Sequence, residues 1–277
     1  MPALLALLAA VLWGSTDFAG GNAARRLGSA AVLMWTTSLA LPVLLVVTVA
    51  GGDLRVDATV IGWGALAGLS GALGITCLYQ GLSTGVMGVV APISGTAAVI
   101  PVVVGVASGD LLSAVQVIGL VVAIAGIVLA GGPQVRAFRT GGHRPVLWAL
   151  AAAVLLGFTF VGLAGGSATS AATTMVTQRL VYLATTATVV LLAHQKARPG
   201  RADLLPLFVI GLGDLSANAL FALASRGGEL AVVAVLASLY PVTTVLLARR
   251  LHHERLQQLQ IVGVVAAFVG VAAVVAG

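Results

Sequence analysis

The chain has 277 residues, of which 60% are hydrophobic and only 8% charged, against about 25% charged in an ordinary soluble domain. This excludes a water-soluble globule and points to an integral membrane protein. The formal net charge of +6 then bears on membrane topology rather than on nucleic-acid binding, and a single cysteine, Cys77, excludes an intramolecular disulfide or a thiolate metal cage.

At about 20 residues per span, the chain has room for ten helices and short connections. A run such as AVVAVLASLYPVTTVLLA (231–248) does not alternate apolar and polar residues, as a transmembrane β-barrel strand would. Glycine, proline and charge clusters divide the chain into apolar segments at 3–22, 29–51, 60–82, 88–108, 112–131, 146–166, 171–193, 204–224, 230–249 and 258–276. The first has no basic residue ahead of its apolar run, so a span is expected there rather than a cleaved signal peptide.

Basic residues are shared unevenly among the connections. Arg25 and Arg26 follow the first segment, Arg136, Arg139 and Arg144 the fifth, Lys196, Arg198 and Arg201 the seventh, and Arg249, Arg250 and Arg255 the ninth. The alternate connections hold only Arg55 and Arg226. Basic residues in short loops stay on the cytoplasmic side. The pattern predicts a multi-pass protein of the inner (plasma) membrane with connections after odd-numbered segments inside and both termini extracytoplasmic.

An internal repeat is visible. Residues 2–16, PALLALLAAVLWGST, align without gaps to 145–159, PVLWALAAAVLLGFT. Residues 109–126 fall on 253–270, pairing Asp110 with Glu254, Gln116 with Gln260, Gly119 with Gly263 and Gly126 with Gly270. The chain thus reads as two five-segment units, 1–133 and 143–277. Five is odd, so the second unit enters the membrane from the opposite side. The charges agree, because the connection after segment 1 is basic while its counterpart GSATSA (166–171) has no charge. The predicted fold is an all-α integral membrane protein of ten transmembrane helices arranged as two inverted five-helix repeats, a plan common among secondary transporters. Ala6, Ala10 and Gly14, with their counterparts Ala149, Ala153 and Gly157, recur every four residues and let helix backbones approach closely.

Two stretches carry a family resemblance: VLWGSTDFAGG at 11–21, and LASLYPVTTVLLARRLHHERLQQLQIVGVVAAFVGV at 236–271. With the duplication, they resemble the EamA-type transporters of the drug/metabolite transporter superfamily along the whole chain. The resemblance implies a secondary carrier, not an enzyme, that moves small metabolites such as amino acids, often outward, by alternating access. A broad-specificity drug or organic-cation efflux carrier is the alternative. Two positions depart from the family pattern: Asp110 where Glu is common, and His252 and His253 where Leu and Gly often precede Glu254.

An ionisable side chain near the bilayer centre costs about 2.5–3.5 kcal/mol on insertion scales and marks a functional site by default. Asp17, Arg179 and Asp214 lie within predicted spans. In one reading, Asp17 and Asp214 line a central cavity and bind a cationic substrate group or a coupling proton. In the other, Arg179 pairs with an aspartate and only holds helices together. Trp13 lies one turn before Asp17 and Asn218 one turn after Asp214, so each pair shares a helix face. Tyr79, Gln80, Ser94, Thr96, Ser238, Tyr240 and Thr243 complete the candidate cavity, in segments where the resemblance places it. Pro92, Pro101 and Pro241 loosen their helices, and Tyr240 with Pro241 is the candidate gate.

His252, His253 and Glu254 are adjacent rather than spaced for a helical zinc site, and no Gly-Lys-Ser/Thr phosphate loop exists. No metal, cofactor or ATP hydrolysis is expected, and an enzyme would need a nucleophile and base for which the spans supply no histidine. The expected partners are a small-molecule substrate, the lipid bilayer and a coupling proton or counter-substrate, with the chain a monomer or homodimer.

Overall fold

The computed structural model describes residues 1–52, 54–109, 111–130, 144–193, 198–252 and 258–276. Its elements are α1 (Pro2–Leu27), α2 (Ser29–Gly51), α3 (Ala58–Thr84), α4 (Met87–Gly95), a 3-10 turn (Thr96–Ala98), α5 (Val99–Ala107), α6 (Ala114–Ala130), α7 (Arg144–Leu192), α8 (Arg201–Gly227), α9 (Leu230–Ala237), α10 (Tyr240–His252) and α11 (Gln258–Ala276). Among the described residues there is no strand. Among the described residues, seven stretches are long and apolar enough to cross a membrane: α1, α2, α3, Met87–Ala107, α7, α8 and Leu230–Leu251. Large apolar side chains such as Val46, Val47 and Leu191 stand on the outer surface, where a bilayer rather than water would cover them.

The structure differs from the predicted segments in two ways, each with a local cause. Segments 6 and 7 are not joined by a loop over 166–171. They run as one element, α7, interrupted at Ser170, whose φ of −152° and ψ of 106° leave the helix. The Ser170 hydroxyl accepts from the Thr173 N–H at 3.2 Å, and the Thr174 hydroxyl donates to the Ser170 carbonyl at 2.7 Å. A serine at this position caps the following arm. The two arms turn back on each other, because both flank α3 in opposite register: Gly64, Gly68 and Gly71 abut Thr177, Val181 and Tyr182, whereas Gly74 and Gly81 abut Leu156 and Trp148.

Segments 4 and 9 are each broken in mid-span. The first tightens to 3-10 geometry at Thr96–Ala98, and the second stops at Ala237 and resumes at Tyr240. Pro101 and Pro241 lack the N–H that would bond the carbonyls of Ala97 and Ala237, four residues back. Each break is met by a glycine from the other half of the chain. A Cβ on Gly157 would stand 2.8 Å from the Ala97 carbonyl oxygen, and one on Gly14 would collide with the Tyr240 carbonyl and the Thr243 side chain. These are the glycines that end the small-residue stripes. The α6 and α11 pair packs the same way, with Gly270 against Gly119 and Ala123.

Helix ends sort onto two faces. On one, Arg26 of α1 pairs with Asp203 of α8 at 2.8 Å, and Gly85, after α3, packs on Pro145 of α7. On the other, the Arg55 N–H bonds the Thr173 hydroxyl at 3.0 Å, and Pro2 packs on Gly228 after α8. Gly28 joins α1 to α2 in a single residue at φ 86°, a backbone that side chains rarely adopt. The basic residues Arg136, Arg139, Lys196 and Arg255, together with Asp110, lie outside the described residues.

Candidate functional site

Three helices, α1, α7 and α8, bring the predicted charges together midway between those faces. Asp214 of α8 is held by three side chains. Its Oδ2 accepts from Arg179 Nη1, on the second arm of α7, at 2.6 Å. Its Oδ1 accepts from Trp13 Nε1 of α1 at 3.1 Å and from Asn218 Nδ2 at 3.1 Å. Asn218 also donates to the Asp214 carbonyl at 2.7 Å, and its Oδ1 accepts from Gln178 Nε2 at 3.2 Å. Trp13 and Asn218 therefore act on Asp214 from two helices, one from α1 and one from within α8. The Arg179 guanidinium lies 5.2 Å from the Tyr182 ring centroid, a distance at which the ring face attracts a cation. Two of its nitrogens, Nε and Nη2, are buried without hydrogen-bond partners.

Asp17 contrasts with this network. Its side chain is buried, 4% exposed, and makes no hydrogen bond or ion pair among the described residues. It faces the same small cavity as Asp214, walled by Trp13, Ile75, Leu156, Thr159, Phe160, Tyr182, Asn218 and Tyr240. The free volume is about 20 Å³, enough for about one water molecule. Toward the Arg26 face the cavity is sealed where Tyr79 packs on Gly20 and Leu82 on Gly21. Toward the opposite face Trp13, Phe160 and Phe221 form an aromatic cluster with centroid separations of 5.0–5.7 Å.

The other predicted residues are distributed around this centre. Tyr240 lines the cavity and donates from its hydroxyl to Ser94 Oγ at 3.1 Å, tying α10 to α4. Ser94 in turn donates to the Ala91 carbonyl. Ser238 sits in the α9–α10 break, fully buried, with its hydroxyl unpartnered. Tyr79 forms the seal rather than the wall. Gln80 points elsewhere: it accepts from the Ser29 hydroxyl at 2.9 Å and lines clefts at the Arg26 face. Successive residues on a helix diverge by about 100°, so with Tyr79 turned inward Gln80 cannot share its direction. The Glu254 loop falls outside the described residues, and among the described residues no three potential metal ligands cluster.

Thr159, Phe160, Leu156, Tyr182 and Ile75 were not among the predicted cavity residues. For Leu156 and Phe160 a signal existed. The alignment of 2–16 with 145–159, continued by one residue, places Leu156 opposite Trp13 and Phe160 opposite Asp17.

The model of the EamA-like transporter family matches this chain twice, over residues 1–132 and 143–276. No curated protein matches the sequence. A protein of known crystal structure superposes with a TM-score of 0.79 over 99% of this chain and 98% of its own, at 16% sequence identity. At that identity the likeness shows the fold alone.

Proposed function

This chain belongs to the EamA-like transporter family, and from that premise we propose that it is a secondary transporter, an exporter of small metabolites such as amino acids, working by alternating access. Family membership points to a non-enzymatic membrane transporter; substrate, direction and mechanism are our reading. The ten spans would be α1, α2, α3, α4 with α5, α6, the two arms of α7, α8, α9 with α10, and α11. They would form two units, 1–133 and 143–277, of opposite orientation. The reciprocal seating of Gly14 and Gly157 on the two broken helices supports that inversion.

One observation carries the site assignment: two carboxylates line one small cavity, and only one of them, Asp214, is paired with Arg179, at 2.6 Å. Asp17 is left to take the positive group that moves, a substrate ammonium or a coupling proton. Removing either partner of a buried pair leaves a charge uncompensated, at about 3–5 kcal/mol, so Arg179 and Asp214 serve as a positioning pair. Trp13, Asn218 and Tyr240 shape the wall, Ser94 holds the Tyr240 hydroxyl, and Tyr79 and Ser238 stand at its moving edges. A substrate larger than water needs the cavity to widen, and the broken helices α4–α5 and α9–α10 are where the backbone can give.

An organic-cation efflux carrier is the second reading, favoured by the aromatic faces of Trp13, Tyr182 and Tyr240 around a carboxylate. Uptake and counterflow in proteoliposomes decide between them, using amino acids, nucleosides, sugars and quaternary amines with and without a proton gradient. Exchange of amino acids is expected. Exchange of quaternary amines alone would select the second reading, and no exchange of any class would reject transport.

A further inference from the structure

The face that carries Arg26 holds two adjoining clefts that the central cavity does not use. One, of about 690 Å³, lies between the last turn of α3 and the first turns of α7 and is lined by Arg144 and Trp148. The other, of about 610 Å³, lies between α3 and the α1–α2 turn and is lined by Arg25 and Ser83. Gln80 and Thr84 belong to both. Tyr79 and Leu82, packed on Gly20 and Gly21, close the way from here to the cavity.

The chemistry of the lining is one-sided. Arg25 and Arg144 have no acidic partner among the described residues, and no carboxylate lines either cleft. Arg26, by contrast, is neutralised by Asp203. Gln80 and Thr84 add amide and hydroxyl groups, and the amino-terminal end of α7 adds partial positive charge. The opposite wall is apolar. Trp148 is 41% exposed and Leu147 61%, continuous with the outer surface that meets the bilayer. A site with guanidinium groups at the height of helix ends and an apolar wall running toward the hydrocarbon fits an amphipathic anion.

We propose that these clefts bind the phosphate headgroup of an anionic phospholipid, with Arg25 and Arg144 at the phosphate and Trp148 against the glycerol and upper acyl chain. The site bridges α1 and α3 of the first unit and α7 of the second, so an occupied site clamps the two halves together on this face. The inference rests on the membrane placement of the chain and not on its transporting anything.

The test is the melting temperature of the purified full-length protein in neutral detergent with added phosphatidylglycerol, phosphatidylcholine or inorganic phosphate. Phosphatidylglycerol at about 100 times its Kd is expected to raise the wild-type melting temperature by about 5 °C or more, with no rise from the other two. The R25Q/R144Q variant, altered only at exposed side chains, should melt like the wild type in phosphatidylcholine and lose the rise. An equal rise in that variant, or with phosphatidylcholine, overturns the site. An equal rise with inorganic phosphate overturns the lipid in favour of a free anion. Should the double variant fail to fold, R144Q alone, examined by native mass spectrometry, should retain one phosphatidylglycerol fewer than the wild type; equal retention overturns the proposal.

Discussion

Asp17 and Asp214 face one cavity, yet their surroundings assign them different work. Asp214 accepts from Arg179, Trp13 and Asn218 and cannot be altered without unsettling three helices. D214N and R179Q are each expected to lower stability by about 3–5 kcal/mol, and the double variant by less than either, because no lone buried charge remains. A double-mutant cycle on melting in detergent checks this; additive losses would show that the pair is not coupled. Trp13, Asp17, Asp214 and Asn218 were legible in the sequence because a charge in a span is rare and its helical neighbours follow from periodicity. Ile75 and Tyr182 were not. In a helix bounded by lipid on one side and protein on the other, both faces are apolar, and polarity does not tell which points inward.

At the scale of the element, the contacts that decide packing are those of glycines against broken helices. G14A would drive a methyl into the Tyr240 carbonyl and the Thr243 side chain, while Gly62 of α3 has nothing within 4 Å. G14A should therefore lose folded abundance in the membrane. G62A should leave it unchanged or raise stability by up to about 1 kcal/mol, the ordinary gain from replacing a helical glycine. Fluorescence-detected size exclusion of the two variants checks the contrast, and equal behaviour would contradict the packing described. The apolar segments were readable from hydropathy to within a few residues. The breaks were only half readable: Pro101 and Pro241 foretold a loosened backbone, but a single extended serine at Ser170 turning one arm of α7 back beside the other has no hydropathy signature.

Over the whole molecule, the structure gathers the ends of α1 and α3 and the starts of α7 and α8 on one face, and Arg55, Ser170, Pro2 and Gly228 on the other. Arg25, Arg26 and Arg144 stand at the first face, and in our reading that face is the cytoplasmic one. With Cys77 replaced by alanine, a cysteine at Arg198 should react with an impermeant thiol reagent only after the cells are opened, and one at Arg226 in intact cells. The reverse pattern would invert the protein in the membrane.

Whether the unpaired carboxylate of Asp17 carries the moving positive charge is decided by counterflow in proteoliposomes of wild type and D17N, at matched protein content and with the substrate found by the panel. Asparagine keeps the side chain's shape and breaks no ion pair, so D17N should fold and insert normally while exchange falls at least about tenfold, a loss of about 1.4 kcal/mol in the transport step. Exchange by D17N at the wild-type rate would contradict the account and leave Asp17 a packing residue.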